Sequence, residues 1–61
     1  MSWGLYNVRY IIEYSDGQRT ESGSNLNLES PSESMAISTL KRQNNVPQNA
    51  NIIIKSINRV G

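Results

Sequence analysis

The sequence predicts an α+β fold: a ββαβ two-layer sandwich whose three-stranded antiparallel sheet, in the order 2-1-3, carries one helix packed on one face. Three observations predict it. Leu5 to Tyr14 alternates as a strand does and runs into Ser15-Asp16-Gly17, a tight-turn sequence. Ser30-Pro31-Ser32-Glu33 opens an amphipathic helical stretch. Asn51 to Val60 begins with three consecutive isoleucines and reads as a closing strand.

Successive side chains of a strand point to opposite faces. In the first strand Tyr6, Val8, Tyr10, Ile12 and Tyr14 therefore share one face, and Leu5, Asn7, Arg9, Ile11 and Glu13 the other. Gly17 can take positive φ at low steric cost, which suits it to the turn. The return strand spans Gln18 to Leu28, its middle weakened by Gly23 and by several Ser and Asn residues. A two-residue Asp16-Gly17 loop pairs Tyr14 with Arg19 and Ile12 with Glu21, setting a charge on the apolar face. A three-residue loop with a bulge at Gly17 pairs Glu13 with Arg19, Ile12 with Thr20 and Tyr6 with Leu26. Because a one-residue slip turns every side chain to the other face, the bulged hairpin is expected.

The helix is expected from Pro31 to about Gln43. Ser30 serves as N-cap, Pro31 fills the first helical position, and Glu33 completes a capping box. Asn44 or Asn45 takes the left-handed terminating conformation, and Pro47 stops the helix. Lys41 and Arg42 lie in the last turn, where they complement the helix dipole. Ala36, Ile37 and Leu40 form the apolar stripe, with Met35 on the opposite, exposed side of the wheel.

In the last strand Ile52 and Ile54 share a face, while Ile53, Lys55, Ile57 and Arg59 share the other. The first strand is the most apolar and belongs at the centre of the sheet. The expected core is Tyr6, Val8, Tyr10, Ile12, Leu26, Ala36, Ile37, Leu40, Val46, Ile52 and Ile54.

Length and composition narrow the functional classes. With 61 residues the chain makes one domain, residues 1–61, and buries only about 60% of the surface its unfolded form exposes. It has no Cys and no His, which removes disulfides, thiolate chemistry, imidazole ligands and the ordinary general base near neutral pH. Self-association then becomes a route to extra stability. Six basic against five acidic residues leave a net charge of +1, against both a strongly basic nucleic-acid binder and an acidic tail. The acidic residues have no metal-loop spacing, and one Gly at Asp16-Gly17 is not a phosphate loop. Nine Ser and eight Asn residues read as caps, turns and surface. No catalytic, cofactor or metal residues are expected, and the chain is not expected to be an enzyme. No apolar run reaches the roughly 20 residues of a membrane span, and no basic segment followed by an apolar one marks a secretory leader, so a cytoplasmic protein is expected.

The sheet face away from the helix is the functional lead. Leu5, Arg9, Ile11, Glu13, Ile53, Lys55, Ile57 and Arg59 are expected on it, with Trp3 positioned to lie over it. Four aliphatic groups are more than a solvated sheet face normally shows. They point to a protein partner or a homodimer, helped by the open edge of the last strand. The alternative is weak nucleic-acid binding, with Arg9, Lys55 and Arg59 neutralising phosphates and Trp3 stacking on a base. Against it, sheet-surface RNA binders generally show several stacking aromatics.

Three motifs carry a resemblance: the hairpin Tyr14 to Gly17, the helix opening Ser32-Glu33-Ser34-Met35-Ala36-Ile37, and the closing Ile52-Ile53-Ile54-Lys55-Ser56-Ile57. Together they resemble small phage and prophage reading frames, mostly uncharacterised single ββαβ domains. The resemblance implies a compact intracellular accessory protein and transfers no functional residue, since its parts form folds rather than chemistry.

Overall fold

A computed structural model of the chain describes residues 3–43 and 46–61. Its elements run β1 (Gly4–Glu13), β2 (Arg19–Leu28), α1 (Glu33–Arg42) and β3 (Asn51–Arg59). The sheet is antiparallel in the order β2-β1-β3, the architecture expected from the sequence.

The hairpin follows the bulged alternative. Glu13 pairs with Arg19, Ile12 with Thr20 and Tyr6 with Leu26. Gly17 has φ of +91° and donates to the Tyr14 carbonyl at 3.0 Å, while the Tyr14 amide reaches the Gln18 carbonyl at 2.8 Å. The Asp16 carboxylate accepts from the Gln18 amide at 3.0 Å, holding the turn from its own side chain.

The helix starts two residues later than expected. Its N-cap is Ser32, whose hydroxyl accepts from the Met35 amide at 3.2 Å. Ser30, Pro31 and Glu33 therefore form no capping box. Pro31 instead sits in a tight turn closed by the Ser32 amide on the Ser30 carbonyl at 2.9 Å, and Glu33 becomes the first helical residue. The dipole arrangement is as read, with Glu33 in the first turn and Lys41 and Arg42 in the last. Gln43 caps the end in a right-handed conformation; the expected left-handed residue, Asn44 or Asn45, lies outside the described residues. Lys41 and Gln48 clasp the helix end to the following segment: Lys41 Nζ donates to the Gln48 carbonyl at 3.2 Å, and Gln48 Nε2 to the Lys41 carbonyl at 3.0 Å.

The core lies between α1 and the sheet. Tyr6, Val8, Tyr10, Ile12, Leu26, Leu28, Ala36, Leu40, Val46 and Ala50 are buried, with Tyr14, Met35, Ile52, Ile54 and Ile57 packed around them. Among the described residues no buried side-chain polar atom lacks a partner; the Tyr10 hydroxyl, for instance, meets Ser24 Oγ at 3.0 Å. Two helix positions differ from the expected stripe. Ile37 is half-buried and outside the buried cluster, whereas Met35, expected on the exposed side, is half-buried against it. Ala36 and Leu40 face the sheet squarely, leaving both flanks of the helix partly covered. The long unbranched Met35 side chain packs against the cluster from one flank.

The largest departure is in β3. Its register against β1 shifts between Arg9 and Tyr10, so that Ile54 pairs with Tyr10, Ser56 with Arg9, and Lys55 is left over. This is a β-bulge, and it inverts the facing of everything after it. Ile57 pairs with Val8 and Arg59 with Tyr6, both on the helix side. Strict alternation had put Ile57 and Arg59 on the opposite face. Ile57 instead completes the rim of the core, and the Arg59 guanidinium lies 5.9 Å from the centre of the Tyr6 ring.

Candidate protein-contact surface

The face away from α1 is built in rows across the three strands. From one end they read Asn27-Leu5, Asn25-Asn7-Asn58, Gly23-Arg9-Ser56, Glu21-Ile11-Ile53 and Arg19-Glu13-Asn51. Gly61 extends the first row, exchanging both main-chain hydrogen bonds with Leu5, and the adjoining Val60 amide donates to the same Leu5 carbonyl at 2.8 Å. Of the expected contact residues, Leu5, Arg9, Ile11, Ile53 and Lys55 lie on this face and Trp3 leads into it; Ile57 and Arg59 do not. The exposed apolar groups are Trp3 (59%), Val60 (54%), Ile53 (43%) and Leu5 (40%). They fall at two ends, with the asparagine row and Arg9 between them. Asn7 Nδ2 donates to Asn25 Oδ1 at 3.0 Å, so the divide is itself structured.

Two ion pairs occupy the same face. Arg19 grips the Glu13 carboxylate through Nη2 at 2.7 Å and Nε at 2.9 Å, and Asn51 Nδ2 reaches its other oxygen at 3.5 Å. Hydrogen bonds from Arg19 and then Asn51 hold the Glu13 pKa below its ordinary value. Lys55 Nζ, projecting from the bulge, is paired with the Glu21 carboxylate, passing over the central strand. That hydrogen bond, and then the charge of Lys55, lowers the Glu21 pKa. The basic set expected here is thus divided: Lys55 is neutralised by Glu21, Arg59 is on the other side, and Arg9 makes no ion pair among the described residues, though its charge also helps to lower the Glu21 pKa.

Edge geometry adds what side-chain alternation does not show. The Leu5 amide and carbonyl both bond to residues 60 and 61, so Leu5 turns its backbone groups toward β3. Backbone groups alternate along a strand. The odd residues of β1 therefore bond to β3, making Ile11–Ile53 and Glu13–Asn51 the mutually bonded pairs. Ile52 and Ile54, between and beyond them, turn their N–H and C=O groups outward from the sheet. By the same alternation β2 turns outward the groups of Glu21, Gly23, Asn25 and Asn27.

The described residues enclose no pocket and gather no group of three acidic side chains fit for a metal. No described helix is long and apolar enough to cross a membrane. No protein-family model matches the chain, and neither a curated protein nor a solved structure matches it.

Proposed function

We propose that this protein is a non-enzymatic, intracellular interaction module that binds a protein strand along the outer edge of β3, with Ile53 and Ile11 on the open face as its flank. One observation carries the reading. The stretch Ile52-Ile53-Ile54 is apolar toward both faces, the pattern of a strand covered on both faces, yet Ile53 is exposed and no described residue pairs with the strand's outer edge. An exposed edge of this kind recruits an extended segment through main-chain hydrogen bonds, and side-chain contacts select the partner. The likeness of the hairpin, helix-opening and closing motifs to phage and prophage accessory proteins supports an origin there. Nucleic-acid binding has less behind it, because only Arg9 of the three expected cations is on the face without an ion pair.

Affinity capture from the source cell, comparing the wild type with Ile53→Lys and Asn25→Lys, tests the reading. A differently tagged copy of the chain is included among the possible catches. Ile53→Lys is expected to lose proteins that wild type and Asn25→Lys both hold, at unchanged circular dichroism. If all three retain the same set, the β3 edge is not the contact.

A further inference from the structure

Resting on that reading, we infer that the strand received by β3 is β3 of a second copy, paired antiparallel about a two-fold axis through Ile53, so that two three-stranded sheets join into one of six.

The segment Asn51-Ile52-Ile53-Ile54-Lys55 is complementary to its own reverse. With Ile53 opposite Ile53, Ile52 meets Ile54 of the second copy, and Asn51 meets Lys55. The outward N–H and C=O groups belong to Ile52 and Ile54, and these two positions come opposite one another in this register. Each Ile52–Ile54 pair can therefore exchange both main-chain hydrogen bonds, while Ile53 sits at the closer, non-bonded position on the axis. Shifting the axis to Ile54 would bring Ile52 against Ser56, which lies past the extra residue Lys55 and turns its main-chain groups inward to Arg9 rather than outward.

Side chains agree on both faces. On the open face the two Ile53 residues, the exposed isoleucines of the strand, cover one another. On the helix side, half-buried Ile52 and Ile54 extend the core rim across the junction. At each end Lys55 of one copy comes opposite the neutral Asn51 of the other, so no like charges face one another across the junction. A two-fold interface uses the same patch on both copies, and this segment is such a patch.

The chain contains no Cys, which makes a single introduced thiol a clean reporter. On the axis, residues 53 of the two copies lie about 4.5 Å apart at Cα, the spacing of a non-bonded antiparallel pair and within disulfide range. Ile53→Cys, mildly oxidised, is expected to run as a covalent dimer of twice 6.9 kDa, and Asn25→Cys on the other edge to remain mostly monomeric. Sedimentation of the uncrosslinked wild type is expected to show concentration-dependent doubling of mass, which Ile53→Lys abolishes while staying folded by circular dichroism. A wild type that stays monomeric to millimolar concentration overturns the inference. So does a dimer that crosslinks through Asn25→Cys instead. A monomer that still loses a captured protein on Ile53→Lys refutes the second copy and leaves β3-edge binding standing; a monomer with no Ile53-dependent catch refutes both.

Discussion

β2 and β3 flank the same central strand and are almost equal in length, yet their side chains suit opposite positions in a sheet. β2 presents Arg19, Glu21, Gly23, Asn25 and Asn27 on the open face, and Thr20, Ser22 and Ser24 on the helix side, until Leu26 and Leu28 enter the core. Its outward backbone groups are hedged by charged and amide side chains, the usual protection of an edge. β3 places isoleucine on both faces over its first half. Its own protection, the bulge with Lys55, comes only afterwards, and Lys55 is turned inward over the sheet to Glu21. The difference teaches that rank in a sheet and fitness for that rank are set separately. The order follows from burying β1, whereas the chemistry of each outer strand decides whether its edge stays single.

The largest effect that sharpens this contrast comes from the core contributions of the two strands. Leu26 of β2 is fully buried, and Leu26→Ala is expected to cost about 2–5 kcal/mol. That is a large part of the roughly 3–9 kcal/mol expected for a domain of this length. Ile54 of β3 is half-buried, and Ile54→Ala in the monomer is expected to cost roughly 1–2 kcal/mol. Urea unfolding at low and high protein concentration checks both values. If β3 pairs with a second copy, the cost of Ile54→Ala rises with concentration while that of Leu26→Ala does so far less, because association is linked to folding. Equal costs at all concentrations would remove the contrast.

Next in size is Gly23, where β2 is weakest. A Cβ there would lie 3.1 Å from Arg9 Cδ, a tight approach, but to an exposed side chain that holds no ion pair and can swing aside. Gly23→Thr is therefore expected to stabilise by about 0.5–1 kcal/mol, because Gly in a strand interior costs that much in backbone entropy. Thermal melting would show a rise of a few degrees. The variant remains without self-association through β2, since Glu21, Asn25 and Asn27 still guard that edge. A dimer that crosslinks through β2 would show that Gly23, rather than polar cover, was what kept it single.

Strand and helix boundaries were legible to within one or two residues because β1 alternates without interruption and the Gly17 turn admits only one register that keeps charge out of the core. The helix cap was misplaced because Pro31 and Glu33 fit the first and third helical positions after Ser30; the turn at Pro31, closed through the Ser32 amide, instead leaves the Ser32 hydroxyl facing the helix amides. The candidate face was half legible. Its β1 residues followed from alternation, but Ile57 and Arg59 were lost to the bulge. A signal for it does exist in the letters: Ile52 and Ile54 are two apart, Ile54 and Ile57 three apart, with Lys55-Ser56 between. That spacing breaks period two without restoring helical spacing, which is what one extra residue in a strand leaves behind. The asparagine row was not visible, since it depends on β1 lying between Asn25 and Asn58.

The smallest expected effect separates the two ion pairs. Glu13–Arg19 closes the hairpin within β1 and β2, whereas Glu21–Lys55 ties β2 to β3 across the central strand. Both carboxylates have lowered pKa values, each first through the hydrogen bond from its cationic partner. A carboxylate whose pKa is lowered by folding contributes stability that is fully present above its ordinary value. The contribution is lost as the pH falls through the lowered one. Stability is thus expected to decline gently on acidification through the carboxylate range, and Glu13→Gln and Glu21→Gln each flatten that slope. Their structural readouts differ. Glu13→Gln speeds hydrogen exchange near the Tyr14–Gln18 turn, whereas Glu21→Gln speeds it in β3 and leaves the turn unchanged. Both pairs are solvent-exposed, so added salt screens both and shrinks both differences. Unchanged exchange of β3 in Glu21→Gln would mean that Lys55 does not hold β3 to the sheet.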